Sequence, residues 1–172
     1  MAITKPFNFQ KWIDEHRHLL KPPVGNKVVF KENDDFIVMV VGGPNNRKDY
    51  HLNQGEELFY QIEGNITLKI IEDGKPIDIP INEGDMFLLP PNIPHSPQRT
   101  TGSIGLVIER YRKEKEEDGF QWHCENCGHL LYQEKFILTD ISSQLPKVME
   151  TFYNSEELRT CNNCSTVMLP PA

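Results

Sequence analysis

Three residues of this chain, His51, Glu57 and His95, could bind a catalytic metal ion. His51 and Glu57 lie in segment 50–57, and His95 ends segment 84–95. Two imidazoles and one carboxylate are the ligand set of non-haem Fe(II) sites, which leave positions open for a substrate and O2. Zn or Mn could occupy the same ligands. If the three side chains converge, the chain has the ligands of an oxygenase.

Four cysteines offer a second and different kind of centre. They form two Cys-x-x-Cys pairs, Cys124 with Cys127 and Cys161 with Cys164. In a reducing compartment such pairs indicate metal ligation, not disulfides. Four thiolates make a closed tetrahedral site for Zn or a single iron, and a closed site predicts a structural role. His123 and His129 flank the cysteines, and we predict that neither is a ligand.

The elements that must position these residues are mainly strands. A helix is predicted over residues 7–20, where apolar residues recur at helical spacing. Short β-branched and aromatic runs bounded by turn residues predict strands, namely Lys27–Phe30, Phe36–Gly42, Glu57–Glu63, Asn65–Ile71, Lys75–Ile81, Asp85–Leu89 and Gly105–Tyr111. Many short strands at this spacing favour a sandwich or a barrel.

The chain divides into three parts by composition. Residues 1–111 are predicted to form the barrel with its N-terminal helix, and the charged run 112–119 is predicted to be a solvated linker. Residues 120–172 hold every cysteine and are predicted to be a C-terminal metal-binding region packed on the barrel. A length of 172 residues is sufficient for one well-buried domain and a small appendage.

The bulk composition indicates the partners to expect. A net charge of −7 argues against a nucleic-acid or anionic-membrane surface, because both require clustered Lys and Arg. No apolar run approaches the ~20 residues of a membrane span, and residues 1–10 lack the pattern of a secretory signal. We therefore expect a cytoplasmic protein.

The spacing of these residues resembles the paired motifs of the cupin superfamily. The first motif is present as His51-x-Asn53-x3-Glu57-x6-Gly64, and the second as Gly84-x5-Pro90-x-Asn92-x2-His95. Asn53 stands where many cupins have a second histidine, and Asn92 replaces the usual glycine. The resemblance implies a mostly β fold, a cupin (double-stranded β-helix or jelly-roll barrel) with an N-terminal helix and a small C-terminal appendage with four cysteine ligands.

Among cupins, the chain most resembles the short, bacterial type of 3-hydroxyanthranilate 3,4-dioxygenase. The resemblance extends over nearly the whole chain and includes Arg47, Arg99, Glu109 and the cysteine appendage. It implies Fe(II) in the barrel and a second Fe (or Zn) in a rubredoxin-like site. It also implies a homodimer that cleaves 3-hydroxyanthranilate, a small aromatic amino-hydroxy acid, with O2 in extradiol fashion. The product, 2-amino-3-carboxymuconate semialdehyde, closes to quinolinate, either for NAD biosynthesis through the kynurenine pathway of tryptophan breakdown or in aromatic catabolism.

The resemblance also implies roles for individual side chains. Arg99, whose fork can bind a carboxylate at two points, is expected to hold the substrate carboxylate. Glu109 is expected to contact the substrate and to pair with Arg99. Arg47 is expected near the O2 position, where it would stabilise negative charge, and Glu57 is expected to touch the substrate as well as the metal.

Two other functions are compatible with the motifs. One is a non-catalytic cupin with a zinc-ribbon appendage that binds a small aromatic ligand. The other is a cupin enzyme of different specificity, such as a dioxygenase of thiols or of other aromatic acids. Arg47, Arg99 and Glu109 favour an aromatic acid that carries both an amine and a carboxylate.

Overall fold

The computed structural model describes residues 5–22, 25–32, 34–139 and 141–171 of the chain. The strands in these ranges are β1 Asn26–Val28, β2 Phe36–Gly42, β3 Asp49–Leu52, β4 Glu57–Glu63, β5 Ile66–Glu72, β6 Lys75–Ile81, β7 Met86–Leu89, β8 His95–Arg99, β9 Ile104–Arg110, β10 Glu117–His123 and β11 Leu130–Ile137. The helices are α1 Phe9–His16, with a 3-10 turn at Arg17–Leu19, α2 Ile141–Tyr153 and α3 Glu156–Arg159. Within the described residues, none of the helices has the length and apolar character that a membrane span requires.

The strands form two antiparallel sheets with the core between them. The five-stranded sheet has the order β1-β2-β9-β4-β7, and the six-stranded sheet has the order β11-β10-β3-β8-β5-β6. Ile66, Leu68 and Ile70 alternate along β5 and face the core, because successive side chains of a strand point to opposite sides. Phe59 and Val107 of the other sheet pack in the same cluster. The predicted mostly β cupin barrel is confirmed.

Helix α1 covers part of the outer face of the five-stranded sheet. The side chain of Asn8 accepts a hydrogen bond of 2.8 Å from the backbone N–H of Lys11, which caps the first turn. Ile13 is fully buried and packs with Val40 of β2. The helix predicted over residues 7–20 is confirmed within narrower bounds.

Strand β10 joins the C-terminal region to the barrel. It pairs with β3 on one side and with β11 on the other. On β10, the ring of Trp122 is fully buried and stacks on Phe152 of α2, with the ring centroids 4.4 Å apart. The barrel sheet therefore continues into the region that carries the cysteines.

The prediction of a solvated linker over residues 112–119 is wrong. The last three of these residues belong to β10, and Asp118 is only 2% exposed. Asp118 is buried because Arg112, from the same stretch, pairs with it, and a paired charge can be removed from water where a lone one cannot. The division of the remaining chain into a barrel and a C-terminal region stays a prediction.

Strands β3, β8, β10 and β11 were not among the predicted strands. Strand β8 runs His95-Ser-Pro-Gln-Arg, a sequence with little β-propensity and a proline. Its polar residues His95, Ser96 and Arg99 are nevertheless buried. Polar side chains that converge inside a barrel indicate a binding site.

Candidate active site and cysteine centre

The two sheets bring His51, Glu57 and His95 together. His51 on β3 and His95 on β8 are cross-strand partners, with ring centroids 5.2 Å apart. Glu57 is the first residue of β4 in the other sheet. The candidate ligand atoms of the three residues all lie within 4.8 Å of one another. The structure thus assembles the three ligands that the sequence predicts.

The hydrogen bonds of His95 leave one ring nitrogen for a cation. Nδ1 lies 2.9 Å from the backbone oxygen of Ile93, and because a carbonyl oxygen only accepts, Nδ1 carries the proton. The lone pair is therefore on Nε2, which lies 3.0 Å from Oε2 of Glu57. Burial alone would raise the pKa of Glu57, but the two histidines and Arg112 lower that pKa to about 2. A lone pair and an ionised carboxylate this close suit a bound metal ion.

A hydrogen bond to Asp118 orients the ring of His51. Nε2 of His51 lies 2.7 Å from Oδ2 of Asp118. Burial lowers the pKa of His51, which favours the neutral ring. Burial would raise the pKa of Asp118, but hydrogen bonds from His51 and Arg112 lower it to about 2. The ionised Asp118 accepts the proton of Nε2, so the other ring nitrogen is left for a metal, an arrangement typical of metal-binding histidines.

The two departures from the cupin motifs lie next to this cluster. Nδ2 of Asn53 donates to Oε2 of Glu57 at 3.3 Å, and its Oδ1 accepts from the N–H of Gly55 at 2.9 Å. Asn92 has a φ of 62°, a left-handed conformation that asparagine tolerates better than most residues. Its N–H donates to the backbone oxygen of Asn53 at 2.9 Å. Both asparagines therefore help to position Glu57.

Arg99 is a buried guanidinium that no carboxylate neutralises within the described ranges. It follows His95 by four residues on β8, so both side chains lie on the same face. Arg99 is 6% exposed, and its Nη1 is buried with no hydrogen-bond partner in the part of the chain that the structure describes. Burial lowers the pKa of Arg99 to about 10, despite the nearby charge of Glu57. The buried guanidinium of Arg99 is therefore a candidate binding site for an anionic group.

Gly105 provides the space that this guanidinium occupies. A Cβ atom at Gly105 would lie 2.9 Å from Nη1 of Arg99 and 2.8 Å from Oε1 of Gln61. Real Cβ atoms essentially never approach other atoms so closely. The absence of a side chain at Gly105 is therefore necessary for the observed placement of Arg99.

Glu109 lies beside the metal-ligand cluster, but its ion pair differs from the expected one. It is the cross-strand partner of Glu57. The resemblance implies a pair with Arg99, whereas Oε2 of Glu109 accepts a hydrogen bond of 2.6 Å from Nη1 of Arg112. Arg112, three residues after Glu109, forms the ion pair with it. Arg99 therefore remains available for another anion. Burial and the charge of Glu57 raise the pKa of Glu109.

Arg47 lies closer to the surface than Arg99. Its guanidinium pairs with the carboxylate of Asp49, and 30% of its side chain is exposed, against 3% for Asp49. Burial alone would lower the pKa of Arg47, but the charges of Asp49 and Glu57 raise it. Arg47 is thus a permanent cation near Glu57, and its expected place beside O2 stays a prediction.

Sequence reasoning missed Arg112 and Asp118 as parts of this site. Both lie in a stretch so rich in charge that it resembles a solvated loop. A signal was nevertheless present, because Asp118, Phe120 and Trp122 alternate along the chain and are all buried. That period of two predicts a strand whose aspartate faces inward.

The cysteines form the second cluster. Cys124 and Cys127 follow β10, and Cys161 and Cys164 follow α3. The four sulfurs lie within 4.8 Å of one another, with two Sγ–Sγ distances of 3.6 Å. Disulfides need ~2.05 Å, whereas a tetrahedron with Zn–S bonds of ~2.3 Å has sulfurs about 3.8 Å apart. The spacing therefore suits a metal with four thiolate ligands.

Hydrogen bonds lower the pKa of two thiols of this cluster, Cys127 and Cys164, whereas burial raises the pKa of Cys124 to about 11. The hydroxyl of Thr166 lies 3.3 Å from Sγ of Cys164 and is the main reason that the pKa of this thiol falls to about 5. Both ring nitrogens of His123 are engaged, one with the backbone oxygen of Gly128 at 3.1 Å and the other with Oε1 of Gln121 at 3.0 Å. His123 is therefore not available to the cluster, as predicted.

The two antiparallel sheets bring two histidines and a carboxylate together, which is the arrangement of a cupin with a candidate metal site. Residues 1–153 match the family model described as 3-hydroxyanthranilic acid dioxygenase. The chain belongs to the 3-hydroxyanthranilic acid dioxygenase family.

Curated relatives named 3-hydroxyanthranilate 3,4-dioxygenase match nearly the whole chain. The chain is 53% identical to the 3-hydroxyanthranilate 3,4-dioxygenase of Xanthomonas campestris pv. campestris (strain 8004), over 98% of this chain and 95% of the relative. It is 54% identical to the protein of that name from Jannaschia sp. (strain CCS1), over 97% and 93%. A cupin-2 domain protein from Shewanella frigidimarina is a distant structural neighbour, with 19% identity, a TM-score of 0.46, and coverage of 62% of this chain and 94% of that protein.

Proposed function

We propose that this protein cleaves the ring of 3-hydroxyanthranilate with O2, giving 2-amino-3-carboxymuconate semialdehyde. Family membership supports the reaction, and one observation supports the substrate class. Arg99, buried and without a carboxylate partner among the described residues, lies on the same strand and face as His95. A buried cation beside metal ligands requires an anionic partner, and a substrate carboxylate is such a partner.

Fe(II) is the metal that we propose for His51, Glu57 and His95. The fit rests on the lone pair of His95, the ionised Glu57 and the support of His51 by Asp118. When bound there, Fe(II) would supply open coordination positions for the substrate and O2 and electron transfer between them. A facial set of three ligands leaves that space.

The protein side chains then orient the substrate and move its protons. Arg99 binds the carboxylate through a two-point contact. Glu109, whose pKa is raised by burial, accepts a proton from the ring substituents as they approach the metal site. Arg47 stabilises the negative charge that develops on oxygen. The apolar residues Phe59 and Leu89 exclude water from the barrel interior.

The test is anaerobic loading with Fe(II), followed by mixing with 3-hydroxyanthranilate and O2. The near-ultraviolet band of the semialdehyde should appear as one O2 is consumed for each substrate molecule. A His95→Ala variant, matched in protein concentration and in added Fe(II), should give neither signal. Full iron loading of the unaltered protein without the band would refute the proposed substrate. The relatives do not favour the alternative, a cupin of different specificity.

For the cysteine cluster we propose a bound Fe, or Zn, with a structural role. The four sulfurs lie within 4.8 Å of one another, and four thiolate ligands would complete a tetrahedral site with no position open for a substrate. Elemental analysis of protein purified without added metal would identify the ion. Retention of one metal per chain after mild chelation would support the structural role.

A homodimer is the assembly that we propose, with the outer face of the five-stranded sheet as its interface. This outer apolar face consists of Val38, Leu58, Met86, Leu88 and Ile108, which lie on adjacent strands and point away from the core. Met86 and Leu88 are exposed. Continuous apolar patches of this kind mark interaction surfaces, and a second copy would bury an identical face.

The cell context is also a proposal. The reaction needs only O2 and a small aromatic acid, and reduced cysteines suit the cytoplasm. The semialdehyde closes to quinolinate, so the protein would serve NAD biosynthesis through the kynurenine pathway or the breakdown of an aromatic nutrient. Growth of a deletion strain without nicotinate would separate the two, because only loss of the biosynthetic role would cause a nicotinate requirement.

A further inference from the structure

The largely buried guanidinium of Arg112 connects His51, a candidate metal ligand, to Glu109, the candidate proton acceptor, with Asp118 between His51 and Arg112. Nε and Nη2 of Arg112 donate to the two oxygens of Asp118 at 2.7 and 2.6 Å. Asp118 accepts from Nε2 of His51 at 2.7 Å. The remaining nitrogen of Arg112, Nη1, donates to Glu109 at 2.6 Å. Each nitrogen of the fork therefore has a carboxylate partner.

The contacts continue from Glu109 to a second metal ligand. Nδ2 of Asn53 lies 3.5 Å from Oε2 of Glu109 and 3.3 Å from Oε2 of Glu57. The connected side chains run from one metal ligand, His51, to another, Glu57. A shift of the guanidinium would be transmitted to both ends of this path.

These three charged groups are largely removed from water. Side-chain exposure is 15% for Arg112, 11% for Glu109 and 2% for Asp118. Removing three charges from water is costly, and such groups contribute little net stability compared with apolar residues. A planar fork with fixed donor directions can hold two carboxylates in defined positions, which a lysine ammonium cannot. The arrangement is therefore better explained by positioning than by stability.

We propose that Asp118 and Arg112 are positioning residues. Asp118 orients the ring of His51 toward the metal. Arg112 holds both Asp118 and Glu109, so one guanidinium fixes the position of His51 relative to Glu109. The part that concerns Glu109 rests on the proposed function. The part that concerns His51 requires only that the barrel binds a divalent metal.

The first test is the Fe(II) affinity of Asp118→Asn, a substitution that keeps the shape of the side chain. Nitric oxide binds Fe(II) that has an open coordination position, so the electron paramagnetic resonance signal of the nitrosyl complex reports the barrel site and not the closed cysteine site. We expect the dissociation constant for Fe(II) to rise ~10–100-fold, as for other residues that orient metal-bound histidines. The control is Glu116→Gln, which breaks the neighbouring pair of Arg110 and Glu116 at 2.6 and 2.7 Å without touching a ligand.

The second test is Arg112→Lys, alone and combined with Asp118→Asn. If Arg112 acts on the metal through Asp118, the two effects on the dissociation constant will not add. The single lysine variant should also lower kcat for 3-hydroxyanthranilate more than it raises KM, because Glu109 is no longer held. Additive effects, or an Fe(II) affinity of Asp118→Asn within twofold of the control, would overturn the proposal. If Asp118→Asn does not fold, an unchanged Fe(II) affinity of Arg112→Lys would also overturn the proposal. Loss of affinity without ring cleavage in the unaltered protein would refute only the proposed reaction.

Discussion

Replacing Arg99 by methionine should stabilise the protein and reduce its activity. Arg99 is buried with an unpartnered Nη1, and no ion pair of the described residues includes it. Methionine fills much of the same space, needs no hydrogen bonds and adapts well to irregular cores. The substitution therefore removes a charge that the protein keeps only at a cost.

The size of the effect follows from the pKa of this guanidinium. Burial lowers that pKa to about 10, and a tenfold change in an acidity constant corresponds to ~1.4 kcal/mol, so the buried charge costs roughly 3 kcal/mol. We expect Arg99→Met to raise the free energy of unfolding by about 1–3 kcal/mol. If binding of the substrate carboxylate offsets this cost, Arg99 contributes roughly 3 kcal/mol to transition-state stabilisation. We therefore expect kcat/KM for 3-hydroxyanthranilate to fall about 100-fold in Arg99→Met.

Two measurements check this prediction. Urea unfolding of the metal-loaded protein gives the stability, and steady-state kinetics give kcat/KM for 3-hydroxyanthranilate and for 2-aminophenol, which has the same reacting groups but no carboxylate. The ratio between the two substrates should shrink about 100-fold in Arg99→Met. If stability falls and both substrates lose activity equally, Arg99 is a structural cation and the reasoning is refuted.

Three further predictions concern other parts of the molecule. His51→Ala should abolish turnover and lose the barrel metal while the cysteine centre keeps its metal; elemental analysis that finds both metals retained would contradict the ligand assignment. Gly105→Ala should lower kcat/KM about 10–100-fold with little change in thermal stability, since the two close contacts of its Cβ are with the ends of the Arg99 and Gln61 side chains and its backbone contact, with the oxygen of Tyr60, is an ordinary 3.6 Å. Leu88→Glu on the outer apolar face should give monomers in sedimentation velocity, whereas Ile77→Glu, an exposed apolar residue of the other sheet, should not; a dimer in both variants would place the interface elsewhere.

The candidate metal ligands and most strands could be predicted from the sequence because their signals are local. His51, Glu57 and His95 stand at fixed spacings within two short motifs, and the predicted strands have the alternation of a half-buried sheet. The closed cysteine cluster is equally local. Each motif or cysteine pair is contained in one short segment and can therefore be recognised in a single sequence, although the segments meet only in the fold.

The charge network could not be predicted, because it depends on partners distant in the chain. Asp118 is 67 positions from His51, and the run that contains it has the composition of a solvated loop. Only the pairing of β10 with β3 brings Asp118 to His51. The predicted ion pair between Glu109 and Arg99 is wrong for a related reason. Arg99 and Arg112 are both possible partners in the sequence, and only the fold determines which of them contacts Glu109.

The position of β10 determines where the chain can be shortened. Asp118, which holds His51, and Cys124, the first thiolate of the other centre, lie on and just after the same strand. A chain ended after residue 111 would keep every barrel ligand, yet β3 would become an edge strand with unpaired backbone groups, which favours aggregation. His51 would also lose its partner. We expect such a protein to bind Fe(II) weakly and to be poorly soluble, so the unit needed for metal binding extends at least through β10, the strand that leads into the cysteine region.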